Sequence, residues 1–248
     1  MCVTAKALLP ILAAGSACGR VRTSPVDAMN TALSPAITSA NAPPGGSVLV
    51  LHSCTPVLGV GWRRMQAALP DRIETFDVGR RLANDLLGCL EKVCPAEHWP
   101  SLSRLAVAIG PGGFTATRLT VVLARTLAQQ LSLPLDGVSS FLLIGRRLGL
   151  ERSTWLVQDL PRRGVVAGLY APDPERPGEV VEQRAPRLYP GKADLEAVFS
   201  AACESASVAL AADVAGLLDL AVQAHQARRP GPWEPVLPLY PTSPVGTV

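Results

Sequence analysis

Two spacings of apolar residues alternate along this chain from position 48 onward. Val48 to His52 and Val57 to Trp62 are short, nearly continuous apolar runs joined at Ser53-Cys54-Thr55-Pro56, and Ile73 to Val78 forms a third. Runs this short, bounded by turn formers, predict three strands of a meander. Between Gly79 and Val93 the period lengthens: Leu82, Leu86, Leu90 and Val93 recur at steps of four, four and three, with Arg81, Asn84, Asp85, Glu91 and Lys92 on other faces. That spacing predicts an amphipathic helix. Leu105 to Ile109 reads as a buried strand. Thr115 to Leu131 reads as a second helix, whose stripe of Leu119, Leu123, Leu127 and Leu131 is widened by Val121, Ala124 and Ala128. A stripe this broad predicts burial against more than one neighbour, within the domain or across a subunit interface.

The theme then repeats. Phe141 to Leu150 predicts a helix, Thr154 to Gln158 and Gly164 to Tyr170 predict strands, and Val180 to Leu188 is extended beyond a loop marked by Pro172, Pro174, Pro177 and Gly178. Ala193 to Ala202 and Val214 to Arg228 read as helices, and prolines at 230, 232, 235, 238, 241 and 244 exclude a regular element after them. Pattern alone gives an α/β or α+β protein in two lobes, 48–150 and a smaller 151–248.

The junction between strand and second helix carries the candidate chemistry. Ile109 to Arg118 reads I-G-P-G-G-F-T-A-T-R. Gly110, Gly112 and Gly113 admit backbone angles closed to other residues, and Thr115 or Thr117 can cap the helix. Bare amides at a helix start can cradle an anion, which makes Gly110, Gly112, Gly113 and Thr115 a candidate phosphate loop. The same letters also suit a sharp turn into a packed helix, with no ligand.

Composition bounds the rest. With 48% hydrophobic and 17% charged residues over 248 positions, the chain can bury a sizeable core. A net charge of +3 and 4% aromatics argue against direct nucleic-acid binding. The six cysteines show no C-x-x-C spacing and read as reduced thiols of a cytoplasmic protein. Residues 1–47, rich in Ala, Ser, Thr and Pro, are expected to form a disordered leader. The apolar run Ala7 to Cys18 has one preceding lysine, an interrupting Pro10 and a poor cleavage box, so export is disfavoured.

G-P-G-G-F-T-x-x-R, followed after a helix by Gly137-Val138-Ser139-Ser140, resembles the TsaB family, also called YeaZ or glycoprotease-like. Three further segments are similar to the family's in order and spacing: Val48 to Thr55, Pro161-Arg162-Arg163-Gly164 with Val165 to Tyr170, and Pro235 to Tyr240. The resemblance runs from Val48 to the end and implies a two-lobed actin-like ATPase (ribonuclease H-like) fold, with mixed sheets and flanking helices. It departs from the family at Gly113 and Ala116, where small residues are kept, and more seriously at His52 and Leu160. Both of those positions carry aspartate in the family. Imidazole is a poor magnesium ligand, and Asp159, one residue displaced on a strand, points to the opposite face. With His52, His98 and His225 as the chain's only histidines, there is neither the His-x-x-x-His metal site of the paralogue TsaD nor an H-E-x-x-H pair, and no G-x-S-x-G elbow occurs. No catalytic or metal-binding residue is therefore assigned.

What the resemblance implies is a non-catalytic dimerisation or scaffold subunit. In the family, TsaB pairs with TsaD, and with the ATPase TsaE that assembly adds threonylcarbamoyl to N6 of the adenosine beside the tRNA anticodon. The expected partner surface is Leu82, Leu86, Leu90, Leu119, Leu123 and Leu127. The chain would hold no cofactor of its own, ATP or ADP entering only within the complex. It would meet tRNA only through the complex and bind no membrane, with a homodimer open to it in the partner's absence. A residual nucleotide-binding ATPase or glycoprotease-like enzyme is the competing reading.

Overall fold

The computed structural model describes residues 46–241 apart from 67 and 68, so the expected leader lies outside the described residues except at its end, where Gly46 and Ser47 are buried and Ser47 opens the first strand. The three predicted strands form as β1 (Ser47–His52), β2 (Val57–Arg64) and β3 (Arg72–Asp77), an antiparallel meander. Helix α1 (Leu82–Val93) follows a short 3-10 turn, and the chain returns as β4 (Leu102–Gly110), parallel to β1. Helix α2 (Phe114–Leu131) then leads to β5 (Leu135–Ser139), parallel to β4, which gives a five-stranded sheet in the order β3-β2-β1-β4-β5.

Helix α3 (Ser140–Leu148) crosses to a second sheet of β6 (Thr154–Leu160), β7 (Gly164–Pro172), β8 (Val180–Tyr189) and β9 (Ala202–Ser205), ordered β8-β7-β6-β9. Here too an antiparallel meander is followed by a helix, α4 (Lys192–Val198), and by a strand parallel to the first of the meander. The chain ends its regular structure in α5 (Leu210–Gln226). The strands of the first sheet end at Ser139 and those of the second begin at Thr154, whereas α5 packs back on the first sheet.

Strand alternation explains the layers. Leu49 and Leu51 of β1, with Leu58, Val60, Leu105 and Val107, face α1 and α2, while Val48, Val50, Ala106 and Ala108 face Leu143 of α3 and Val214, Leu217, Leu218 and Ala221 of α5. The first sheet is thus covered on both sides, and all six residues of β1 are buried. In the second sheet, Leu156, Val166 and Tyr170 pack on Phe141 and Ile144 of α3, and Trp155, Val157 and Leu169 pack on Leu195 of α4.

Three local expectations are corrected. The helix predicted from Ala193 to Ala202 stops at Val198, and a largely exposed strand follows, too short and too polar to show a period. Helix α2 is capped by Gly113 with no side-chain bond, so Thr115 and Thr117 lie inside it. Its buried face is Thr117, Thr120, Val121, Ala124, Leu127 and Ala128, which leaves Leu119, Leu123 and Leu131 half-buried at the margins.

Candidate functional site

The glycine turn lies where β4 runs into α2, and it is packed from three sides. Gly110 has φ +113, in the region that favours glycine, and a Cβ there would stand 2.8 Å from the Leu239 carbonyl oxygen. A Cβ on Gly112 would fall 2.4 Å from the Cys54 carbonyl oxygen and 2.5 Å from its Cα, so the turn rests directly on the loop between β1 and β2. The Gly113 N–H donates to Cys54 O at 3.2 Å, and Ser140 Oγ donates to Pro111 O at 2.8 Å. Below the turn, the Ser53 and Thr120 hydroxyls lie 2.6 Å apart. Of the candidate phosphate loop, Gly110 is buried, whereas Gly112, Gly113 and Thr115 are exposed, Gly112 resting on Cys54 on one side, while a Cβ on Gly113 would meet nothing nearer than the Ala116 Cβ at 4.0 Å.

The groups that could serve a phosphate site are turned to other uses. His52 is fully buried, neither ring nitrogen has a hydrogen-bond partner, and burial pushes its pKa down to about 4, so the ring is neutral. Burial raises the Cys54 thiol to about 11, which keeps it protonated. Asp159, one position before Leu160, has a side chain 69% exposed and lies 3.1 Å from Lys192 Nζ. Among the described residues, no group of three or more His, Cys, Asp or Glu could hold a metal ion.

Beside the turn opens an apolar groove of about 530 Å³, lined by Cys54 and Pro56, by Ala83 of α1, and by Phe114, Ala116 and Leu119 of α2. Beyond it, the outer faces of the two helices are mostly polar, and Leu87, 47% exposed, and Val122, 52% exposed, are the large apolar exceptions on them. The predicted partner leucines do not supply this surface as a set. Leu82, Leu86, Leu90 and Leu127 are all at most 7% exposed, in the core under the helices, although Leu82 and the half-buried Leu119 line the groove, and Leu123 is half-buried. The reason is geometric, because the strongest leucine stripe of a helix is the one its own sheet claims. The signal sequence reading missed was the lone apolar residue on a polar face: Leu87 among Asn84, Gly88 and Glu91, and Val122 among Arg118, Arg125 and Thr126.

Residues 82–157, from α1 to β6 and including the turn, match the family model described as TsaD, tRNA N6-adenosine threonylcarbamoyltransferase. The structure is similar to YeaZ from Pseudomonas aeruginosa, with TM-score 0.59 at 19% identity, over 79% of this chain and 99% of that one. It is also similar to a Pseudomonas aeruginosa protein described as having similarity to peptidase YeaZ, with TM-score 0.61 at 19% identity, over 79% and 100%. No curated protein matches the sequence. The fold is thus the actin-like, ribonuclease H-like one expected, and the resemblance to the TsaB (YeaZ) family extends from the motifs to the architecture.

Proposed function

We propose that this chain is a non-catalytic, TsaB-like subunit that docks a TsaD-like protein on the outer faces of α1 and α2. The observation carrying this reading is the apolar groove walled by Phe114, with Leu87 and Val122 exposed on the outer faces of the two helices that line it. In the assembled complex, with a TsaE-like ATPase, the reaction would be addition of threonylcarbamoyl to N6 of the adenosine beside the tRNA anticodon. Nucleotide and tRNA would be handled by the other subunits. The workplace would be the cytoplasm, and among the described residues no helix is long and apolar enough to cross a membrane.

Leu87 and Val122 are each about half exposed, so covering the pair contributes on the order of 1 kcal/mol apiece, and the groove adds to that. Association entropy absorbs much of such a gain, so the docking face has to include both helices. The test is sedimentation of the purified chain with the TsaD-like protein of the same cell. A heterodimer at micromolar concentration is expected, and Leu87→Glu and Val122→Glu should each weaken it at least tenfold while leaving the thermal midpoint unchanged. Absence of a complex with the unaltered chain would overturn the reading. A homodimer of the free chain on the same face should dissociate when the partner is added.

A further inference from the structure

The chain beyond α5 is a strap tied to the first sheet at successive points. The Arg104 guanidinium, held by Asp136 at 2.5 and 2.8 Å, donates to Arg229 O at 2.8 Å. Gly231 O accepts from the Leu135 N–H at 2.8 Å, which covers the edge of β5. Val236 is buried in the first core, and the Leu239 N–H donates to Ile109 O at 2.7 Å. The strap then delivers Tyr240 onto Phe114, ring centroids 4.5 Å apart and tilted by 34°. That spacing and tilt suit a stabilising aromatic pair.

Phe114 is the first residue of α2 and a wall of the apolar groove. Both rings are partly exposed, Phe114 at 38% and Tyr240 at 37%, so the pair contributes little to the core. A solvent-facing phenylalanine at a helix start would otherwise sample several rotamers, which a docking partner would have to fix at an entropic cost. We infer that Tyr240 is a positioning residue of the docking groove: carried on the C-terminal strap, it holds the Phe114 ring in place as the groove's wall. The inference rests on the docking reading above, and it adds an element distant in sequence from both helices.

The test uses the full chain and the TsaD-like protein of the same cell. Tyr240→Ala should weaken binding about tenfold with an unchanged thermal midpoint, Tyr240→Phe should bind as the unaltered chain does, and Tyr240→Ala combined with Phe114→Ala should lose no more than Phe114→Ala alone. Undiminished binding by Tyr240→Ala, or additive losses in the double variant, would overturn the inference while leaving the docking reading intact. If the unaltered chain binds no partner, the docking reading fails. The positioning role is then read in the free chain by nuclear magnetic resonance of labelled phenylalanine. Side-chain couplings of Phe114 that average over rotamers in Tyr240→Ala but not in Tyr240→Phe support it, and unchanged couplings overturn it.

Discussion

Replacing His52 with leucine should flatten the acid side of the stability curve by an amount that the structure fixes. His52 is buried between apolar layers with neither nitrogen bonded, and its pKa falls from 6.5 to about 4 because burial disfavours the charged ring. A histidine with a depressed folded pKa stays neutral in the fold while the unfolded chain takes up a proton. Its effect on stability is therefore absent above the unfolded value, and stability is lost as pH drops from 6.5 towards 4. Between about pH 7.5 and about pH 5 the difference in proton uptake amounts to roughly 2 kcal/mol, at about 1.4 kcal/mol per pH unit. Leucine has a similar volume and no group to desolvate, so His52→Leu should be at least as stable as the parent near neutrality, within about 1 kcal/mol of repacking. By about pH 5 it should have gained about 2 kcal/mol on the parent. Urea unfolding of both proteins across this range measures the difference, and every other titrating group is common to the two. Parallel curves, agreeing within about 0.5 kcal/mol at every pH, would show that the ring is solvated or paired and would refute the reasoning.

Asp136→Ala leaves the 2% exposed Arg104 guanidinium without its carboxylate. It should cost roughly 2 to 3 kcal/mol in urea unfolding and speed hydrogen exchange at the Leu239 amide. Gly112→Ala places a methyl 2.4 Å from a backbone oxygen that cannot turn away, and should lower stability by on the order of 2 kcal/mol, read as a lower thermal midpoint. Calorimetry of the isolated chain with ATP and magnesium should give no binding heat up to millimolar nucleotide. Binding that Gly112→Ala abolishes without unfolding the chain would restore the phosphate-loop reading.

The alternation of spacings made most of the first sheet legible, because β1, β2 and β4 are apolar on both faces and α1 carries its leucines on one. The second meander was readable for the same reason at β6 and β7. β9 was not, since three of its four residues are exposed and it rests on pairing with β6, a contact between residues about 48 apart that no local pattern announces. The destination of α5 was hidden too. Its apolar face says that it is buried but not against which sheet, and that is decided by Val214 and Leu218 meeting β1 and β2. The partner leucines failed by the same logic. Periodicity reports the face a helix buries, and the first claim on that face comes from the chain's own core, so an apolar residue left outside shows only as an exception such as Leu87 or Val122.

An actin-like fold can offer a phosphate the starts of helices that follow its sheets, and here two such starts are satisfied from within. At α2 the Gly113 amide is taken by Cys54 O and the glycine face is filled by the Cys54 backbone. At α5 the carboxylate of Asp213, fully buried, accepts from the Ala209 N–H at 2.9 Å and from Arg147 Nε at 2.8 Å. A negative charge held there already occupies the positive end of the helix and would repel an incoming phosphate. Burial raises the Asp213 pKa against the pull of Arg147, and parting the two would leave a buried carboxylate without its partner. Two helix starts are thus closed by internal bonds, while Leu87 of α1 and Phe114 and Val122 of α2 are among the apolar side chains left exposed. On the proposed scaffold reading, helix starts closed from within and apolar side chains left outside beside the groove both favour contact with another protein over contact with a phosphate.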